Sequence, residues 1–227
     1  MKRAALTVFL ALVLLLTAIV PTGATAGNVF AKNSSAIGKI ALTFDDGPHP
    51  IYTPKILEIL EEYGVSATFF VIGKNVENYP DAFRAILDSG CEIGNHTYTH
   101  KNMEGMNDRE IRDELEQTEA AVAKACERRL SLLRPPEGSC GAPLERVSVE
   151  RGYDVILWSI DTLDWAHTPS DIIARRVLSN AHDGDIILMH DYVSHGSTTL
   201  EALRIIIPEL LARGYEFVTV SELLGEE

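Results

Sequence analysis

The chain has 227 residues with a formal net charge of −13, and 46% of its residues are hydrophobic. This length can bury one sizeable core and is most simply read as one domain. A chain this acidic is a poor nucleic-acid binder, and attraction to anionic lipid is not expected. Its three cysteines allow at most one internal disulfide, with a bridge between Cys126 and Cys140 left open, whereas Cys91 is expected to be a small buried apolar residue.

The N-terminal residues have the pattern of an export signal. Lys2 and Arg3 precede an uncharged apolar run over 4–20, and Ala24-Thr25-Ala26 follows as a small-residue cleavage site. We predict a signal peptide over 1–26, a short polar leader over 27–36 and one domain over 37–227. The protein is then expected to be secreted or cell-wall-associated, with an uncleaved signal as the alternative and the one expected route to a membrane.

From residue 39 onward, short apolar strands alternate with segments of helical periodicity. This alternation predicts an α/β domain with a parallel sheet or barrel of about seven strands. The predicted strands are 40–44, 67–72, 91–94, 131–133, 155–160, 186–189 and 216–220. The predicted helices are 53–63, 75–89, 108–127, 143–151, 169–180 and 198–213.

Unusual polar residues gather at the carboxyl ends of these strands. In a (β/α) barrel all of those ends open on one face, around one site, whereas an open sheet would spread them along an edge. We therefore favour a distorted (β/α) barrel. The residues are Asp45, Asp46, Asn95, His96, Arg134, Asp161 and His190.

The stretch "HTYTH" places His96 and His100 four residues apart, a spacing that puts both rings on one side of a helical turn. An H-x-x-x-H pattern alone is common by chance, so its weight comes from Asp46 at a neighbouring strand end. Two imidazoles and one carboxylate hold a divalent transition metal and leave positions open for water and substrate. Zinc is expected, and cobalt or nickel would tolerate the same ligands.

The adjacent carboxylates of "TFDDGP" can divide two roles. Successive strand residues point to opposite sides, so Asp46 can bind the metal while Asp45 accepts a proton from the attacking water. His190 would then protonate the leaving group. Arg134 can hold Asp45 ionised, and Asp161 can raise the basicity of an imidazole or pair with Arg134. An acidic turn capped by Gly-Pro, and purely structural ion pairs, are the alternatives.

The motifs "TFDDGP", "HTYTH", "RPPEG", "DTLDW" and "LMH" occur in the order and spacing of the five motifs of the polysaccharide deacetylase family. This family is also called the NodB-homology domain or carbohydrate esterase family 4, and the resemblance covers nearly all of 37–224. It implies a distorted (β/α) barrel and a metal-dependent N-deacetylase that acts on N-acetylated glycans.

The resemblance also assigns roles residue by residue. It implies that Asp45 is the catalytic base, His190 the catalytic acid, and Arg134 and Asp161 the residues that orient them. One position departs from the family, because Glu137 stands where an aromatic residue is usual, which changes the expected fit of the sugar. The remaining implied roles are the metal ligands Asp46, His96 and His100, the loop-steadying Thr97, the groove aromatic Trp165 and the acetyl-pocket wall Leu188.

The predicted function is a secreted, zinc-type hydrolase that deacetylates N-acetylglucosamine units, with peptidoglycan as the favoured glycan. Chitooligosaccharide, acetylxylan or N-acetylmuramic acid are alternative substrates, and a catalytically silent glycan-binding module is an alternative of another class. A monomer with no nucleic-acid partner is expected. Four histidines outside the motifs are predicted to be surface or loop residues: His49, His167, His182 and His195, the last of which is expected to lie nearest the groove. Trp158 is predicted to be a core residue.

Overall fold

The computed structural model describes residues 28–193 and 197–225. The predicted signal peptide over 1–26 and His195 lie outside the described residues. Within the described ranges, no helix combines the length and the apolar character needed to cross a membrane.

The described strands form one sheet of nine members, in which every pairing between strands is parallel. Their order is β1-β6-β5-β4-β3-β2-β8-β7, with β9 paired to β2. Helices cover the outer face, and the prediction of a distorted (β/α) barrel is confirmed, with nine strands instead of about seven. The strands are β1 (Val29–Phe30), β2 (Lys39–Gly47), β3 (Thr68–Val71), β4 (Glu92–Asn95), β5 (Leu132–Leu133), β6 (Asp154–Ile156), β7 (Ile160–Asp161), β8 (Ile186–His190) and β9 (Glu216–Phe217).

Two predicted elements are each divided in the structure. The predicted helix over 75–89 is two helices that meet at Tyr79, because the ring of Pro80 disfavours helical geometry in the residue before it. The predicted strand over 155–160 is interrupted at 157–159, between β6 and β7. The helices are α1 (Tyr52–Tyr63), α2 (Gly73–Asn78), α3 (Pro80–Asp88), α4 (Asp108–Ala123), α5 (Ala142–Arg151), α6 (Ser170–Asn180), α7 (Thr199–Ala212) and α8 (Val220–Leu224).

The alternation of side chains along β2 connects the core to the site. Ile40, Leu42 and Phe44 belong to the larger apolar cluster, which packs the sheet against the helices. Ala41 belongs to a second cluster, on the inner face, which Val220 and Leu223 of α8 complete. Since strand residues alternate between faces, Thr43 and Asp45 continue the inner face toward the carboxyl end of the strand.

The segment predicted to be a polar leader contributes contacts to the sheet. Its strand β1 pairs with β6, and Lys32 Nζ lies 3.1 Å from Asp185 Oδ1. The amide of Asn33 donates a hydrogen bond to the carbonyl of Leu223 at 2.8 Å. The described part of this segment is therefore continuous with the folded domain.

The three cysteines are free thiols. Cys91 is buried, as predicted, whereas Cys140 is exposed and Cys126 is partly buried. The bridge between Cys126 and Cys140 that the sequence left open is absent from the structure.

Candidate active site

A bulge at the end of β2 brings both aspartates of "TFDDGP" into one cleft. The pairing of β2 with β3 shifts register between Phe44 and Gly47, and Asp46 adopts a left-handed backbone with φ of 75°. Asp45 Oδ2 and Asp46 Oδ1 then lie 3.7 and 3.5 Å from the same atom, Nε2 of His96. The prediction that they point to opposite sides is wrong, because the bulge interrupts strand alternation.

Asp46, His96 and His100 form the one cluster of potential metal ligands found among the described residues, with all ligand atoms within 4.8 Å of one another. Asp46 Oδ1 is 3.1 Å from His100 Nε2, yet it is buried without a hydrogen bond of acceptable geometry. His96 Nδ1 lies 2.7 Å from the carbonyl oxygen of Arg134. That contact requires the proton on Nδ1, so the lone pair of Nε2 is free to bind a metal. The donor set therefore fits a divalent transition metal.

The two histidines converge through a loop and not through the predicted helical turn. Thr97 and His100 both adopt left-handed backbones, with φ of 66° and 57°. The Thr97 hydroxyl accepts a hydrogen bond from the His100 N–H at 3.1 Å, and the Thr97 N–H donates to Asn95 Oδ1 at 2.8 Å. Thr97 therefore steadies the loop that connects the two imidazoles.

The cluster favours positive charge. Burial would raise the pKa of Asp46, but contacts with His100 and His96 outweigh burial and hold that pKa well below its usual range. The contact with Asp46 raises the pKa of His100 despite the opposing effect of burial. An ionised carboxylate facing two imidazole nitrogens is an arrangement that a divalent cation would also satisfy.

Asp45 is held by a buried arginine. Nη1 of Arg134 donates to Asp45 Oδ1 at 2.8 Å and to the Thr43 hydroxyl at 2.7 Å. The rest of the guanidinium is bound by the carbonyls of Ile156 and Leu157, at 3.1 and 3.0 Å. Because Arg134 occupies Oδ1, the oxygen of Asp45 that faces the metal-ligand cluster is Oδ2.

The carboxylate that binds His190 is Asp164, and not Asp161 as the sequence indicated. Asp164 is fully buried and accepts four hydrogen bonds. The backbone N–H of His190, the Nδ1 of His190 and the Thr199 hydroxyl each donate to Asp164 at 2.8 Å. The Trp165 N–H donates to it at 3.0 Å. Asp161 Oδ1 instead accepts the N–H of Leu163 at 2.8 Å. Arg134, its other expected partner, forms its ion pair with Asp45.

His190 is consequently poised to carry a proton. Burial lowers the pKa of this imidazole, but the hydrogen bond to Asp164 and the charges of Asp164, Asp45 and Asp46 outweigh it and raise the pKa to about 9. With Nδ1 engaged by Asp164, Nε2 is the ring nitrogen left for a substrate. Backbone pairing of β2 with β8 places Asp45 beside His190.

These groups line one cleft of about 500 Å³. Leu188 is a buried part of its wall, and Trp165 is 53% exposed at its side. Trp158 also lines the cleft, although it packs against the inner apolar cluster as well. The prediction of a core residue is therefore only partly correct, and its place inside a strand is wrong because the chain leaves the sheet between β6 and β7. The complete lining is Asp45, Asp46, His96, His100, Glu137, Trp158, Asp161, Trp165, Leu188 and His190.

Glu137 lies in the cleft with a left-handed backbone, φ of 58°. Its carboxylate is exposed and accepts a hydrogen bond from the Asn102 amide at 2.5 Å. The negative charge of Glu137 also contributes to the raised pKa of His100. A carboxylate therefore stands beside the metal-ligand cluster at the position where the family usually has an aromatic ring.

The remaining described histidines lie outside the cleft lining. His49 is half-buried, stacked on Tyr192 at a centroid distance of 4.7 Å, with Nδ1 accepting the N–H groups of Ile51 and Tyr52. His167 and His182 are exposed, as predicted.

The fold and the site define a parallel-barrel protein with the groups of a hydrolase at the carboxyl ends of its strands. The sequence profile of polysaccharide deacetylases matches residues 32–156, more than half of the chain. A peptidoglycan-N-acetylglucosamine deacetylase of Bacillus cereus is 41% identical over 206 residues, which cover 90% of this chain and 94% of that protein. The chain belongs to the polysaccharide deacetylase family, carbohydrate esterase family 4, whose enzymes are hydrolases that act on amide bonds.

Solved structures agree with this assignment. The Bc1960 peptidoglycan N-acetylglucosamine deacetylase superposes with a TM-score of 0.84 at 34% identity, covering 88% of this chain and 94% of that chain. A second structure, BA3943 from Bacillus anthracis, is described as a pseudoenzyme of the same family. It has a TM-score of 0.82 at 32% identity and covers 88% of this chain and 70% of its own.

Proposed function

We propose that this protein is a metal-dependent N-deacetylase that removes acetyl groups from N-acetylglucosamine units of a glycan, with peptidoglycan as the favoured substrate. The observation that carries the proposal is one cleft that holds a candidate base paired with arginine, a candidate acid paired with aspartate, and an Asp-His-His cluster. The similarity to the Bacillus cereus deacetylase supports the choice of peptidoglycan.

The cluster of Asp46, His96 and His100 would hold the metal, and zinc is the proposed ion, with cobalt or nickel as alternatives. When bound, the metal supplies Lewis acidity that polarises the acetyl carbonyl and makes water a stronger acid. The carbonyl of Arg134 keeps His96 in the tautomer that can act as a ligand. Thr97 holds the loop that presents His100.

Asp45 is the general base. Its Oδ1 is fixed by Arg134, so its Oδ2 is directed at the place where water would attack and can accept the proton of that water. The positive charge of Arg134 keeps the carboxylate oriented and counters its burial. Arg134 contacts no solvent, and its role is to position Asp45.

His190 is the general acid. A pKa of about 9 keeps its ring protonated at neutral pH, so Nε2 can donate a proton to the leaving amide nitrogen. Asp164 holds Nδ1 and thereby directs Nε2 into the cleft. Leu188 offers an apolar wall for the acetyl methyl group, and Trp165 offers a ring on which a sugar can stack.

Export through the predicted signal peptide would place this activity outside the cell or at the cell wall, where peptidoglycan is found. The alternative, a silent glycan-binding module, has one supporting observation in the pseudoenzyme of similar fold. The presence of a candidate base, acid and complete ligand set in this chain favours the enzyme, because binding alone has no need of all three.

The proposal is tested by measuring acetate released from peptidoglycan, N-acetylated chitin oligomers and acetylxylan by the zinc-loaded protein. Release from peptidoglycan or chitin oligomers, and a larger rate with peptidoglycan, is expected. Release from none of them, with retained binding to one, would replace the deacetylase by the binding module. Release from acetylxylan alone would overturn the N-deacetylase assignment in favour of an O-deacetylase.

A further inference from the structure

Glu114 of α4 is a buried carboxylate, 8% exposed, whose bonds all go to the loop between the two histidine ligands. Its Oε2 accepts the N–H groups of Tyr98 and Thr99 at 2.9 and 2.8 Å. Its Oε1 accepts the hydroxyl of Thr99 at 2.7 Å. The side chain therefore binds the centre of the loop at three points and does not take part in the proposed chemistry.

The opposite side of the same loop is bound by the start of α2. The N–H groups of Gly73 and Lys74 donate to the carbonyls of Thr97 and Tyr98, at 3.0 and 3.1 Å. The loop is thus clamped, with the N–H groups of Tyr98 and Thr99 on Glu114 and the carbonyls of Thr97 and Tyr98 on α2. Gly73 packs so closely that an added Cβ would lie 2.7 Å from the Tyr98 ring and from Thr118 of α4, so this contact requires a glycine.

The clamp reaches the third ligand as well. The side-chain amide of Asn75, also on α2, donates to the backbone carbonyl of Asp46 at 2.8 Å. The loop between the histidines contains left-handed residues at Thr97 and His100, which are costly backbone conformations that persist only when surrounding contacts hold them. Glu114 binds Tyr98 and Thr99, which lie between these two left-handed residues.

We propose that Glu114 is a positioning residue that sets the metal affinity of the Asp46, His96 and His100 cluster. This inference rests on the metal-dependent site proposed above. The three hydrogen bonds of Glu114 hold the loop in the ligand-presenting conformation, and because hydrogen bonds to a carboxylate are stronger than those to a neutral amide, a glutamine would hold the loop more weakly. Mutating a residue that orients the metal ligands typically weakens metal affinity by roughly 10- to 100-fold.

The test uses the metal-free purified protein and measures zinc affinity by competition with a chromogenic chelator, without any substrate. The variants are Glu114→Gln, which keeps the shape and removes the charge, and Glu114→Ala. The matched controls are Glu92→Gln and Glu92→Ala. Glu92 is a partly buried carboxylate of β4 that accepts the Thr68 hydroxyl and the N–H and hydroxyl of Ser221, but it lies at the other end of the strand.

We expect Glu114→Gln to bind zinc about 10-fold more weakly than the parent and Glu114→Ala about 100-fold more weakly, with both Glu92 variants equal to the parent. Zinc affinities of the Glu114 variants that match those of the Glu92 variants would overturn the inference while leaving the deacetylase proposal intact. If Glu114→Ala does not fold, Glu114→Gln decides. A parent protein that binds no zinc would overturn both proposals.

Discussion

Replacing Asp164 by asparagine should lower the pKa of His190 and reduce the protonated fraction of its ring at neutral pH. The hydrogen bond and charge of Asp164 are the main reasons that the pKa of His190 rises from an ordinary 6.5 to about 9. That difference corresponds to roughly 3 kcal/mol in favour of the protonated ring, since a tenfold change in an equilibrium constant is worth about 1.4 kcal/mol. In Asp164→Asn, only the charges of Asp45 and Asp46 would still oppose burial, so the pKa of His190 should fall.

The consequence for activity follows from the sign of this change. A general acid works while it is protonated, so activity is lost as the pH rises through the pKa of His190. At pH 7 a group with a pKa of about 9 is about 99% protonated, against about a quarter for a pKa of 6.5. The parent should therefore keep its activity well above pH 7, and Asp164→Asn should lose its activity at a lower pH than the parent, with the whole difference of roughly 3 kcal/mol as the upper limit of the effect.

The assay is the pH profile of kcat for acetate release, measured for the parent, Asp164→Asn and Asp161→Asn. Asp161 is the matched control, because it lines the same cleft three residues earlier but binds the N–H of Leu163 instead of His190. Its variant should keep the alkaline limb of the parent whatever its effect on the maximal rate. If the alkaline limb of Asp164→Asn matched that of the parent, or if the limb of Asp161→Asn moved by the same amount, Asp164 would not be the residue that raises the pKa of His190.

The parent and Asp164→Asn should also differ in how their free energy of unfolding depends on pH. A pKa raised in the folded state stabilises the fold fully below the unfolded value near 6.5, and this stabilisation is lost as the pH rises through about 9. Between those limits the unfolding free energy of the metal-free parent should decline more steeply than that of Asp164→Asn. Parallel declines would contradict a raised pKa for His190.

Three further variants test other parts of the account. Asp45→Asn should reduce kcat by roughly 10²- to 10⁴-fold while zinc content stays unchanged, and near-parental activity would exclude it as the base. His96→Ala should lose its zinc on dialysis; retained zinc would refute its role as a ligand. Gly47→Ala places a Cβ 2.0 Å from a carboxylate oxygen of buried Asp191 and should lower the unfolding free energy in urea by about 1–3 kcal/mol, whereas an unchanged value would refute the close packing.

Much of the barrel and of the metal-ligand cluster could be predicted from local patterns. Short apolar runs separated by helical periods predict parallel strands, and parallel strands collect their carboxyl ends on one face. Asp46, His96 and His100 stand at such ends, and the structure brings their ligand atoms together. The assigned chemical roles remain predictions that the variants above test.

The partner of His190 could not be read from spacing. The motif "DTLDW" contains two aspartates, and both follow the same strand. Leu163 adopts a left-handed backbone with φ of 57°, which starts the short 3-10 turn over Asp164–Ala166 and turns the second carboxylate inward. The contact that results joins residues 26 positions apart in the chain, so no local pattern distinguishes Asp164 from Asp161.

The loop of "HTYTH" shows a similar limit of local reasoning. The spacing of His96 and His100 suits a helical turn, but the carbonyls of Thr97 and Tyr98 bind α2, and the N–H groups of Tyr98 and Thr99 bind Glu114 on α4. These partners lie 15 or more positions away from the residues that they bind, and Glu114 and Thr99 are the pair 15 positions apart. Tertiary contacts therefore override the local preference, and they present the two rings by another route.

The most direct test of the central claim is a zinc titration of the metal-free protein, with acetate release from peptidoglycan measured at each addition. No release is expected without metal, and release should rise to a plateau at one zinc per chain, because the described residues contain one cluster of potential metal ligands. Full release by the metal-free protein in the presence of a chelator, or a zinc-bound protein that releases no acetate, would contradict it.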